Sequence, residues 1–105
     1  MVPWESQEEV ATALAWLLAT DPEGGDPAEA LRLAEFATRG AGAADPARLD
    51  TLAAAHAAAG QAQRAAAGAR DAAARAAALG YEAYARRIRA RADLYATGAA
   101  YRGRR

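Results

Sequence analysis

The sequence has no cysteine, no lysine and no asparagine, and only one histidine, His56, among 105 residues. Without cysteine there are no disulfides and no thiolate metal ligands, and the redox compartment stays open. A lone histidine argues against a zinc site or a His-based catalytic constellation. Bulky apolar residues are scarce as well: nine Leu, four Tyr, two Val, two Trp and one each of Ile, Met and Phe, against 36 Ala. A core built from such material must bring backbones close together, because little bulk is present to fill wider gaps. β-Branched residues number only five Thr, two Val and one Ile. Alanine has the highest helix propensity, so a β-rich fold is excluded. Long apolar runs are missing too. The longest uncharged stretches, Val10–Thr20 and Thr51–Gln63, fall short of the ~20 residues that a membrane span takes. The opening residues Met-Val-Pro-Trp-Glu are acidic where a signal peptide is basic. The expectation is a soluble chain without membrane insertion, cytoplasmic by default.

Formal charge is zero overall, but the halves differ. Residues 1–50 hold ten acids and three arginines, a balance of −7, and residues 51–105 hold three acids and ten arginines, a balance of +7. All thirteen basic residues are arginine. A dipole of this size favours head-to-tail or intramolecular pairing of acidic and basic surfaces.

Punctuation divides the chain into five helices. Asp26-Pro27-Ala28-Glu29 supplies an N-cap, a proline at the first helical position and an acid in the first turn. Asp45-Pro46 does the same further on, and Ser6 with Glu9 has the spacing of a capping box. Gly40, Gly60 and Gly80 follow helical runs where a left-handed C-cap belongs. The predicted helices span about 6–20, 27–39, 46–59, 62–79 and 81–97, joined by short links that make neighbours antiparallel.

Helical periodicity predicts which faces pack. In the first helix Val10, Ala13, Leu14, Leu17 and Leu18 share a stripe; in the second, Ala30, Leu31, Leu33, Ala34 and Ala37 do. The fifth aligns Tyr81, Tyr84, Ala85, Ile88, Ala92 and Tyr95, with Arg86, Arg87, Arg89 and Asp93 off the stripe. Seventeen alanines between Ala53 and Ala78 leave the third and fourth helices without contrast, so Ala–Ala contact must set their packing.

A shift of 35 residues superimposes Leu14 on Leu49, Leu17 on Leu52, Gly25 on Gly60, and Ala30, Ala34 and Ala37 on Ala65, Ala69 and Ala72. Each unit is a helix, a turn and a second helix with small residues on one face. In this the chain resembles the tetratricopeptide repeat family, whose period is about 34 residues. Leu49, Leu52 and Ala53 match first-helix positions of that pattern, and His56 falls where an aromatic is usual. Gly60 matches the turn, while Ala69 departs from a position usually aromatic. The run Asp50–Ala55, with the later Leu94-Tyr95 and Tyr101-Arg102, is similar to the C-terminal ends of bacterial repeat proteins. The resemblance implies a single all-α domain: a first repeat over 7–44, a second over 45–79, a closing helix over 81–97 and an Arg-rich tail over 98–105. It further implies stacking as a short right-handed α-solenoid.

The same resemblance implies a non-catalytic protein–protein interaction scaffold, with no cofactor or metal. Its groove would present Ala15 and Ala19, then Asp50, Ala54 and Ala57, then Glu82, Arg86 and Arg89. That is an apolar floor with a basic wall suited to an acidic or carboxylate-ended peptide. The carboxylate clamp of Lys and Asn found in some relatives is absent, leaving Arg86 and Arg89 to bind a carboxylate bidentately or to remain a solvated helix face. Trp16 and Phe36 fall off the stripes of their own helices, and Trp4 adds a further ring on the first helix. These rings either fill gaps against neighbouring helices or dock upstream repeats, a second copy or a partner subunit. His56 reads as a packing histidine, since no carboxylate or second histidine lies at helical spacing around it.

Other readings are weaker. Seven arginines after residue 85 suit nucleic acid, with Tyr95 or Tyr101 stacking, but the chain is neutral and lacks a nucleic-acid motif. No paired carboxylates, Gly-rich phosphate loop or nucleophile constellation point to an enzyme. A structural subunit of a larger assembly is the remaining class.

Overall fold

A computed structural model describes residues 3–39 and 43–102, all of it helix and connecting turns. The five helices are α1 (Pro3–Thr20), α2 (Pro27–Ala37), α3 (Pro46–Ala58), α4 (Ala62–Ala78) and α5 (Glu82–Ala96). Residues that the sequence marks start α2 and α3 and end α3 and α4. Asp26 caps α2 by accepting a hydrogen bond from the Glu29 N–H at 3.1 Å, with Pro27 next. Asp45 accepts from the Ala47 N–H at 3.3 Å ahead of Pro46. Gly60 and Gly80 follow the last residues of α3 and α4 with φ of 81° and 89°, a conformation that side chains disfavour and glycine adopts freely. Helix α1 already starts at Pro3, so Ser6, expected to open it, falls inside the helix. Gly40, the Trp4 side chain and Arg104-Arg105 lie outside the described residues.

Helices α1 and α2 pack on each other and both pack on α3; α4 then joins α3 to α5. Alanine makes the inter-helix contacts. One cluster gathers Ala15, Ala19, Ala30, Ala34, Ala54 and Ala55, with Leu31, Leu33 and Leu52 against it. The other gathers Ala53, Ala65, Ala69, Ala72, Ala76, Ala85 and Ala92 around Ile88 and Tyr95, the two largest fully buried side chains. The expected stripe of α2 is buried at Ala30, Ala34 and Ala37 and half-buried at Leu31 and Leu33; that of α5 is buried at Ala85, Ile88, Ala92 and Tyr95, half-buried at Tyr84 and exposed at Tyr81.

Helix α1 is turned away from expectation. Ala11, Ala15 and Ala19 are buried, while Val10, Leu14 and Leu17 are 63, 42 and 64% exposed. The cause is interaxial distance. Neighbouring helices that present alanine approach most closely when they meet alanine, and a leucine there would hold them apart.

Candidate functional site

A cleft of about 510 Å³ opens between α1, α3 and α5. Its walls are Thr12, Ala13, Trp16 and Leu17 from α1, Ala47, Asp50 and Thr51 from α3, and Tyr84 and Arg91 from α5. Thr12 and Trp16 are four residues apart and therefore share one side of α1. Thr12 and Thr51 satisfy their hydroxyls within their own helices by donating to Glu8 and Ala47 carbonyls, which leaves their methyl groups for the cleft.

Asp50 forms the floor and is 4% exposed. Its Oδ2 accepts hydrogen bonds from Arg91 Nη2 at 2.7 Å and from the Tyr84 hydroxyl at 3.1 Å. The Arg91 guanidinium lies 5.2 Å from the Trp16 ring centroid and 5.4 Å from that of Tyr101, so two aromatic rings and a carboxylate hold one cation. The two rings approach each other to 5.9 Å. Beyond Tyr101, Arg102 Nη1 reaches the Ala19 and Asp21 carbonyls at 3.4 and 3.3 Å, at the C-terminal end of α1, where the helix dipole favours a cation. Residues after α5 thus return to α1 and pack on Trp16 beside the cleft.

Burial sets the titration of this cluster. Removal from water, reinforced by the Asp50 charge, pushes the Tyr84 and Tyr95 hydroxyls well above the usual tyrosine range. Burial alone would lower Arg91, but its hydrogen bond and attraction to Asp50 outweigh that and raise it. Asp50 Oδ1, Arg91 Nε and the Tyr95 hydroxyl are buried without a partner in hydrogen-bonding geometry, the cost of taking an ion pair this deep. The carboxylate is neutralised by its own arginine. As a whole the cleft offers a small apolar and aromatic surface over a charge-balanced floor.

A second groove, of about 540 Å³, runs along the outer side of α1 and α2. Val10, Ala11, Leu14, Leu33 and Phe36 line it, with Gln7, Arg32 and Arg39 at its edges. Phe36 is 38% exposed there. Arg32 is held by Glu29 one turn earlier, while Arg48 of α3 is paired with Glu8 and Asp45.

The sequence-derived candidates divide between these places and others. Trp16 and Asp50 line the cleft, and Phe36 lines the outer groove, so Trp16 and Phe36 do not share a surface. Ala15, Ala19, Ala54 and Ala57 are buried in the core and present nothing. Tyr84 and Arg91 project within about 60° of Ile88 on one side of α5, at roughly 100° per residue. Arg89, Glu82 and Arg86 lie about 100–160° round the other side, exposed and turned from the cleft. The arginine of the cleft is Arg91, which sequence reasoning missed. Two signals pointed to it: the seven-residue spacing from Tyr84, and Asp50 as the one acid in the otherwise uncharged run Leu49–Ala55.

His56 Nδ1 lies 2.6 Å from Gln61 Oε1, and the Gln61 N–H donates to the His56 carbonyl, so this histidine ties the α3–α4 turn. Among the described residues no group of three or more His, Cys, Asp or Glu is placed to hold a metal, and no helix is long and apolar enough to cross a membrane. Compared with protein-family models, with curated proteins and with solved structures, the chain matches none.

Proposed function

We propose that this chain is a non-catalytic scaffold, a short right-handed α-solenoid of tetratricopeptide type, that holds an apolar or aromatic side chain of a protein partner in the α1–α3–α5 cleft. The observation that carries the reading is the cleft itself, with Trp16, Leu17 and Tyr84 around a neutralised Asp50–Arg91 pair. Rigid aromatics over a desolvated, charge-neutralised base are the composition of interface anchoring sites. The 35-residue shift supports the repeat architecture, since it relates α1–α2 to α3–α4. The ion pair leaves no free base or nucleophile in the cleft, which favours binding over catalysis. With Arg86 and Arg89 facing elsewhere, the partner is recognised by shape and apolar contact more than by negative charge.

Ala13→Trp tests this reading. Ala13 is exposed and lines the cleft, so a tryptophan there fills the cleft without touching the core. Proteins that co-purify with the wild-type chain should be lost with Ala13→Trp while the helical circular dichroism is unchanged, and their retention should vary little with salt. A bound nucleic acid that leaves with a steep salt slope would instead favour the arginine-mediated alternative.

A further inference from the structure

Among the described residues the alanine core is two clusters, and α3 is the one helix common to both. Leu49, Ala53 and Ala57, spaced four residues apart, turn one side of α3 toward α4 and α5. Ala54, Ala55 and Ala58 turn another side toward α1 and α2. The α1–α2 pair and the α4–α5 pair scarcely touch each other directly. The cleft is the gap between them, walled by α1 on one side and α5 on the other. Two helix pairs seated on one shared helix are an arrangement in which small sliding of packed helices opens or closes the gap.

What spans the gap comes from α5 and the residues after it. Arg91 is fixed to Asp50 of α3 and meets Trp16 of α1 across the cleft. The chain then leaves α5 through a turn at Gly98, with φ of 91°, and passes the exposed Ala99. Ala100 and Tyr101 pack at the margin of the α4–α5 cluster, whereas Trp16 lies at the margin of the α1–α2 cluster. The contact of the Trp16 and Tyr101 rings is therefore where the two clusters meet. One residue further on, Arg102 reaches the Ala19 and Asp21 carbonyls from an exposed position. These contacts are few, and half-buried or exposed residues of a non-helical segment make them, which places them at the low end of local stability.

We propose that residues 99–102 are a latch. Seated on Trp16 and on the end of α1, they hold the two helix pairs at one separation. Released, they let α4–α5 move away from α1–α2 about α3, and the cleft widens. The size of group that the cleft admits is then set by Tyr101 and Arg102, neither of which lines it. This motion belongs to the chain alone and stands whether or not the cleft binds a partner.

Distance measurements on the full chain test it. The sequence has no cysteine, so pairs of introduced cysteines carry spin labels at chosen sites alone, and pulsed electron paramagnetic resonance reads their separation. Val10→Cys with Ala90→Cys spans the gap from α1 to α5, and Val10→Cys with Glu35→Cys stays within α1–α2; all three positions are exposed. In the otherwise unaltered chain both distances should be single and narrow. Tyr101→Ala should broaden the α1–α5 distance and lengthen it by several ångström, with the α1–α2 distance and the helical circular dichroism unchanged. Arg102→Glu removes no buried group and sets a negative charge against the end of α1, so it should shift the α1–α5 distance the same way. An α1–α5 distance as short and narrow with Tyr101→Ala as without it overturns the proposal. So does an unaltered chain already as broad as the variants, whose latch is never closed. If Tyr101→Ala loosens both distances, Arg102→Glu decides, and an unmoved α1–α5 distance there overturns the proposal as well.

Discussion

Asp50 and Arg91, forty-one residues apart, meet at 2.7 Å under the ring of Trp16, and through this pair α1, α3 and α5 share one polar contact inside an alanine core. Removing either member leaves the other charge buried and unpaired, which costs ~3–5 kcal/mol. Asp50→Ala and Arg91→Ala should each lower stability by that order in denaturant unfolding. The double variant should lose clearly less than the two losses together, because the second truncation removes a charge already stranded. Additive losses would show that the pair is not coupled.

Alkaline pH should unfold the protein through its buried tyrosines. Tyr84 and Tyr95 are raised in the folded state, while in the unfolded chain they ionise near the ordinary value of about 10. Their contribution is therefore complete below about pH 10 and is lost as pH rises toward their folded values. The melting temperature should be level on this account from neutral pH to about 10 and then fall, and Tyr84→Phe or Tyr95→Phe should make that fall shallower. Melting curves at stepped pH measure it.

Among the described residues, Ile88 is the one large aliphatic side chain that is fully buried, and it packs between α5 and the alanines of α4. Ile88→Ala should cost ~2–5 kcal/mol by opening a cavity that the surrounding methyl groups are too short to fill. Arg87 is exposed, with its guanidinium 5.7 Å from the Tyr84 ring centroid, and Arg87→Ala should cost no more than ~1 kcal/mol. Comparable losses from the two would show that α5 is not docked.

Two glycines should respond with opposite signs. A Cβ on Gly68, inside α4, would meet only the Ala53 Cβ at 3.7 Å, an ordinary contact. Gly68→Ala should stabilise by about 0.5–1 kcal/mol through the helix-interior cost that glycine carries. A Cβ on Gly25 would lie 2.6 Å from the Leu18 carbonyl oxygen, so Gly25→Ala should destabilise by forcing the α1–α2 turn apart. Thermal melts of the two variants separate these outcomes.

Local chemistry alone determined the helices. Asp-Pro pairs start α2 and α3, glycines end α3 and α4, and alanine excludes any competing strand, because each of these acts within a few residues of itself. The stripe of α5 was equally legible, since its few large residues leave one face to bury. Tertiary packing decided the rest. In α1 the hydrophobic pattern pointed to Val10, Leu14 and Leu17, but closeness to two alanine-faced neighbours selected Ala11, Ala15 and Ala19 for the interior and left the larger residues outside. The cleft was hidden for a related reason. Asp50, Trp16, Tyr84, Arg91 and Tyr101 come from three helices and the segment after α5, and only the distances between those elements bring a carboxylate, a guanidinium and the aromatic rings together. Periodicity reports which residues share a face of one helix; which of two plausible faces is buried depends on how near the neighbouring backbones can come.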